Sequence, residues 1–153
     1  MTAKIPSLSW TCKPFQQLSA ADLYAILRLR AEVFVVEQTC PYQDLDNNDQ
    51  QALHLCGFDG EELACYVRLL PPGLKYTGAS IGRVVTAMTV RGTGLGRELM
   101  LEALRNCQQR WPAVEITISA QHHLEKFYAS LGFETVSEPY MEDDIPHVEM
   151  TRR

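Results

Sequence analysis

A mixed α/β fold is predicted for this chain, with a largely antiparallel sheet flanked by helices on both faces. Three observations predict it. Strand-like apolar runs, broken by Pro, Gly and Asp, recur at 8–13, 52–58, 63–70, 80–86, 114–120, 133–137 and 147–151. Between them lie stretches whose apolar residues return at helical spacing. The order reads as two helices among the early strands and then β-α-β-α-β-β, which suits a sheet covered on both sides. With 153 residues and 46% hydrophobic content, one domain over 1–153 with a real core is expected.

The first strand, 8–13, is stopped by Pro14. Ser19 then stands as an N-cap with Asp22 at N3, and Leu23, Ile26, Leu27, Arg30 and Phe34 follow at helical spacing as far as Cys40-Pro41. Arg30 is out of place on that stripe; its stem is expected to pack while its head reaches water. The polar stretch 38–51 reads as a loop. Its Asp44-Leu45-Asp46-Asn47-Asn48-Asp49 run is not a calcium loop, because position six is Asp49 rather than Gly and position twelve is Leu55 rather than Glu. Strands 52–58 and 63–70 are joined by Asp59-Gly60, a hairpin signal. Pro71-Pro72-Gly73 opens a loop, and the apolar run 80–86 belongs in the middle of the sheet.

Next comes Arg91-Gly92-Thr93-Gly94-Leu95-Gly96 and an amphipathic helix. Leu95, Leu99, Met100, Ala103, Leu104 and Cys107 share one side of it, and Leu101 is the misfit. A Gly-rich loop feeding a helix start offers unpaired N–H groups at the positive end of a dipole, which favours an anion such as phosphate, with Arg91 and Arg97 adding charge. The loop is not a P-loop, since Gly96 is followed by Arg97, and the dinucleotide fingerprint fails where its third Gly would fall at Arg97. After strand 114–120, Leu124, Phe127, Tyr128 and Leu131 form a second helical stripe, closed by Gly132 as C′ residue. The last strands flank an acidic loop at 138–144.

Composition narrows the function classes. A net charge of −5 without a basic stripe argues against nucleic-acid binding. There is no apolar run of about 18 residues to span a membrane, and the start of the chain, with Lys4 and Lys13, is not a signal peptide. Five scattered cysteines without a C-x-x-C pair read as free thiols in a reducing cytoplasm. No two of Glu37, His54 and His147 have metal-ligand spacing, and His122 and His123, adjacent on a helix, point apart, so no metal is expected.

The R-x-x-G-x-G run between a strand and a helix resembles the GNAT superfamily of acyl-coenzyme A-dependent acyltransferases. Leu124-x-x-Phe127-Tyr128-x-x-Leu131-Gly132-Phe133 resembles the fourth helix of that superfamily. Arg30-Ala31-Glu32-Val33-Phe34-Val35-Val36-Glu37-Gln38 and Ile145-Pro146-His147-Val148-Glu149-Met150 resemble its ElaA-like branch. The resemblance implies an N-acetyltransferase that moves an acetyl group from acetyl-CoA to a primary amine by direct attack. The competing reading is a non-catalytic acyl-CoA sensor or partner module. It also implies a splayed gap between the strands at Ser80 and Val114, where the thioester would lie. Val84, Val85 and Thr86 would follow the pantetheine, with the Val85 N–H as oxyanion donor. Arg91, Gly92, Thr93, Gly94, Leu95, Gly96 and Arg97 would hold the pyrophosphate. Tyr128 would be the general acid. Gln121 occupies the region where many relatives have Asn near the pantetheine.

Glu37 and His147 are the candidate bases. Glu37 follows the apolar run 33–36, where partial burial would suit a base, and His147 is of the residue type whose unperturbed titration falls near neutrality. His54 is a weaker candidate. The acidic segments 44–49 and 142–144 point to a cationic amine, small or peptide-borne, steered by exposed charge. A homodimer is compatible with all of this.

Overall fold

The computed structural model describes residues 7–153, so Lys4, one of the residues weighed against a signal peptide, lies outside the described residues. Strand β1 (Ser9–Pro14) precedes helix α1 (Ala20–Arg30). Ser19 caps that helix, its hydroxyl accepting the Asp22 N–H at 3.0 Å, as the sequence implies. The helical run continues through Ala31–Glu37 in π geometry. Of the two helices expected among the early strands, one continuous helical run, 20–37, is formed, and the polar stretch 38–51 is a loop as expected, apart from a 3-10 turn at Asp49–Gln51.

Strands β2 (Leu53–Asp59) and β3 (Glu62–Leu70) form the expected hairpin, with Gly60 at φ +63° in its two-residue turn. Then follow β4 (Ala79–Thr86), α2 (Leu95–Arg110), β5 (Ile116–Gln121) and the short α3 (Glu125–Ala129). Helix α3 ends in a Schellman motif: the Phe133 N–H reaches the Tyr128 carbonyl, the Gly132 N–H reaches that of Ala129, and Gly132 sits at φ +95°. The chain finishes with β6 (Glu134–Thr135), β7 (Tyr140–Glu142) and β8 (Ile145–Arg152). The acidic loop expected at 138–144 is therefore a hairpin. Strand β7 pairs with β8 through Tyr140↔His147 and Glu142↔Ile145, and Asp143 and Asp144, both at positive φ, make the turn.

The eight strands form one sheet in the order β1-β2-β3-β4-β5-β8-β6, with β7 also on β8. Among the described residues only the β4–β5 pairing is parallel. Alternation along β3 divides the two faces. Cys65, Val67 and Leu69 pack with the Leu95, Leu99, Met100, Ala103 and Leu104 face of α2 and with Tyr128 and Leu131 from the α3 region. Tyr66 packs with Ile26, Leu29 and Val33 from the α1 run. Burying each of the large α2 side chains contributes about 1.5–3 kcal/mol. Leu101, the misfit of the sequence pattern, is 36% exposed. Among the described residues no helix is long and apolar enough to cross a membrane.

The joint between β4 and β5 sets up everything that follows. Their pairing consists of Ala79↔Ile116 and Ser80↔Thr117, and beyond it the strands part. At the foot of the joint the backbones nearly touch: the Ala79 N–H donates to the Glu115 carbonyl at 2.9 Å. A Cβ on Gly78 would sit 2.1 Å from that oxygen, so only glycine fits there. The splayed gap expected between these strands is present.

Candidate active site

The gap opens into a cleft of about 940 Å³, walled by β4, β5, the π-helical turn, α3 and the β7–β8 hairpin. It brings together Glu37, Val84, Val85, Thr86, Arg91, Gln121, Tyr128 and His147, residues scattered over more than a hundred positions. Residues 92–97 do not line it. They lie just past Arg91, at the start of α2.

Along β4 the backbone groups alternate between β3 and the gap. The Ala87 N–H donates to the Ala64 carbonyl at 2.8 Å, and the register runs back through Thr86↔Cys65 to Val85↔Tyr66. The Val85 N–H is therefore turned toward β3, and those of Val84 and Thr86 face the gap. The expectation that Val85 offers an oxyanion donor fails on this geometry; its side chain packs instead with Tyr66 and Val33. The neighbouring β-bulge at Tyr66/Arg68, with Arg83 at φ +54°, tilts this part of β4 out of the ladder.

The Gly-rich loop turns through Gly92 at φ +77° and Gly94 at φ +86°, conformations that a side chain resists. Thr93 braces it, donating to the Val90 carbonyl at 2.6 Å and accepting the Leu95 N–H at 3.3 Å. Gly96 lies inside the first turn of α2, where glycine costs about 0.5–1 kcal/mol relative to alanine. A Cβ there would meet nothing within 4 Å, so packing does not require this glycine. An open helix start with a bare Gly is suited to a group approaching from outside. Arg91 donates to Glu37 at 2.7 Å and to the Thr86 carbonyl at 3.5 Å, while Arg97 reaches the Ser130 hydroxyl at 3.0 Å.

Tyr128 is 8% exposed, with its ring edge-on to Phe127 and Phe133. Burial pushes its phenol up to about 12. No hydrogen-bond partner engages its hydroxyl among the described residues, although it lines the cleft. Glu37 has a partly buried side chain, 30% exposed, as expected, and it is tied to Arg91. His147 is 8% exposed and stacks on Tyr140; its Nδ1 meets the Ile145 carbonyl at 2.7 Å and its Nε2 lies 3.3 Å from Glu142. His54 is excluded as a base. It is fully buried outside the cleft between the Tyr66 hydroxyl (2.6 Å) and the Asp49 carbonyl (2.8 Å), and burial lowers its pKa.

Two expectations fall together. Arg30 does not send its head to water: it is 0% exposed and donates to Asp44 at 2.9 Å and Asp49 at 2.8 Å. Arg68 holds Asp46 at 2.8 Å and Asp49 at 3.0 Å, and Arg83 holds Asp44 at 2.7 Å. The segment 44–49 is thus not an exposed rim that steers cations; its carboxylates neutralise three arginines within the fold. Burial opposes the charge on Asp46 and Asp49, yet the guanidinium hydrogen bonds win and hold both below the usual carboxylate range. A readable signal existed in the pairing of an Arg on an apolar helical stripe with Arg68 inside an apolar strand run, since each needs a buried acid.

The acetyltransferase (GNAT) domain family matches residues 18–153. Protein ElaA of Escherichia coli is 42% identical over 147 residues, 95% of this chain and 96% of that protein. The crystal structure of Escherichia coli ElaA superposes with a TM-score of 0.91 at 40% identity, covering 96% of this chain and 100% of that one. The crystal structure of an acyl-CoA N-acyltransferase from Pseudomonas aeruginosa superposes with a TM-score of 0.92 at 45% identity over 96% of this chain and 100% of that one. This chain therefore belongs to the GNAT family of acyltransferases, alongside the ElaA proteins.

Proposed function

We propose that this chain is an N-acyltransferase that carries an acyl group, acetyl in the simplest case, from coenzyme A to a primary amine by direct attack within a ternary complex. The observation that carries the reading is the parting of β4 from β5 after Ser80, which leaves the Val84 and Thr86 amides facing a cleft that also holds the Tyr128 hydroxyl. In this reading the pyrophosphate rests on residues 92–97 with Arg91 beside it, and the pantetheine runs along β4 toward Gln121. A gap-facing β4 amide, from Val84 or Thr86, takes the oxyanion role. Tyr128, a phenol that is protonated at neutral pH and whose burial raises its pKa further, gives its proton to the departing thiolate. The nitrogen of the tetrahedral intermediate still carries an extra proton, which restores the phenol. The five described cysteines are free, which supports a reducing, cytoplasmic setting.

Acetyl-CoA incubated with a panel of primary amines tests the reading. Thiol release should require the amine and match amide formation one to one. Tight coenzyme binding with no amide across the panel would instead favour the sensor module.

A further inference from the structure

The β7–β8 hairpin sets a carboxylate and an imidazole on the cleft wall. Glu142 and His147 both line the cleft. Glu142 Oε2 accepts from the Ser119 hydroxyl at 3.2 Å and lies 3.3 Å from His147 Nε2. Tyr140 stacks on the His147 ring and shares a hydrogen bond with the same Ser119 hydroxyl. Three strands, β5, β7 and β8, therefore fix one carboxylate oxygen. The other, Oε1, has no protein partner among the described residues, and the Glu142 side chain is 45% exposed.

The tautomer adds a second argument. A carbonyl only accepts, so the contact with Ile145 places a hydrogen on His147 Nδ1. In the neutral ring, Nε2 would then present a lone pair to a carboxylate oxygen. A proton arriving between them gives each a hydrogen-bond partner. Charge accounting sets Glu142 apart as well. Of the other carboxylates on the cleft wall, Glu37 is tied to Arg91, Asp46 to Arg68 and Arg83, and Asp143 sits in the hairpin turn. The groups facing the pair are Tyr140 on β7, Ser119 and Gln121 on β5, Glu149 on β8, and Lys75 and Tyr76 from the β3–β4 loop, Lys75 within reach of the Glu142 charge.

We propose that Glu142 is a further catalytic residue: its carboxylate seats the acceptor's ammonium and, with His147, takes the proton that frees the amine. This rests on the acyl-transfer reading above. One ammonium N–H bond breaks and its proton joins the pair. The amine lone pair then attacks the thioester carbon, the C–S bond breaks, and Tyr128 protonates the sulfur. The second nitrogen proton returns to Tyr128, and the pair later releases its proton to water. The acceptor is thus an alkylammonium held at Glu142, while the Arg91–Glu37 contact stays on the coenzyme side of the cleft.

The test is kcat against pH for wild type, Glu142→Gln and Glu142→Asp, with acetyl-CoA and butylamine, cadaverine or lysine methyl ester. Glu142→Gln should lower the plateau of kcat about 100-fold or more. It should also shift the acid limb to lower pH, because an amide satisfies the neutral ring and cannot stabilise the imidazolium. The affinity for acetyl-CoA should stay unchanged, and Glu142→Asp should recover part of the loss. A Glu142→Gln protein within twofold of wild type, with its limb unmoved, overturns the proposal. If wild type turns over none of these amines, the acyl-transfer reading fails first. The pair is then read by the imidazole titration of His147 in NMR, which Glu142→Gln must move to lower pH; an unmoved titration overturns the proposal too.

Discussion

Asp49→Asn removes the charge at the hub of the buried ion network while changing almost nothing in shape. Asp49 Oδ1 accepts from Arg30 at 2.8 Å and from Arg68 at 3.0 Å, and those guanidinium side chains are 0% and 2% exposed. Neither can turn to water for compensation. Arg68 already has an unpartnered Nε. Losing one partner of a buried pair costs about 3–5 kcal/mol, chiefly because a charge is left buried without its counterion. For a chain of this size roughly 2–4 °C of Tm accompanies each kcal/mol. A drop of roughly 6–20 °C is expected, read by thermal and urea unfolding. Glu102→Gln is the control: it loses a pair with Arg105 whose side chain is 58% exposed, and should cost less than about 1 kcal/mol. Asp49→Asn as harmless as Glu102→Gln would refute the view that this network holds α1 and the β4 bulge in place.

The remaining predictions follow from the same geometry. Gly96→Val should fold with a Tm near wild type, since its side chain meets open space, yet lose the stabilisation of about 2.7 kcal/mol expected at acetyl-CoA 100-fold above its Kd; a retained shift would move the pyrophosphate elsewhere. Tyr128→Phe should cut kcat by about 100- to 10,000-fold with little change in the KM for acetyl-CoA, because its hydroxyl acts as the thiolate forms; kinetics within twofold of wild type would leave Tyr128 a core residue. Asp46 and Asp49 are held below their ordinary values in the fold, so on acidification the unfolded chain takes up protons first. Their contribution is present above about pH 4 and is lost as pH falls through the native values, and Asp49→Asn should flatten that acid limb in urea titrations.

Much of the fold was legible because its elements carry local signals. Ser19 and Asp22 announced a helix start, Gly60 a hairpin, Gly132 a helix end, and the α2 stripe a buried face. The turn before α2 was legible for the same reason, since its positive-φ positions fall on Gly92 and Gly94. What stayed hidden depends on long-range pairing. Which β4 amides face the gap is set by register against Ala64, Cys65 and Tyr66, and no local pattern reports it. Strand β7 is three residues long, held by its pairing with β8. Asp44, Asp46 and Asp49 resemble a solvated loop until Arg30, Arg68 and Arg83 arrive from α1, β3 and β4.

The central claim is that the acyl donor lies in the gap between β4 and β5 with its phosphates on the start of α2. An amide-resolved NMR titration of the wild-type protein with coenzyme A tests it most directly. The account predicts the largest shifts at the amides of Val84, Thr86 and residues 92–97, with Val85 moving less because its N–H is turned to β3. Saturable binding whose shifts map to the β1 edge or the outer face of α2, leaving Val84, Thr86 and the Gly-rich loop unmoved, would contradict it.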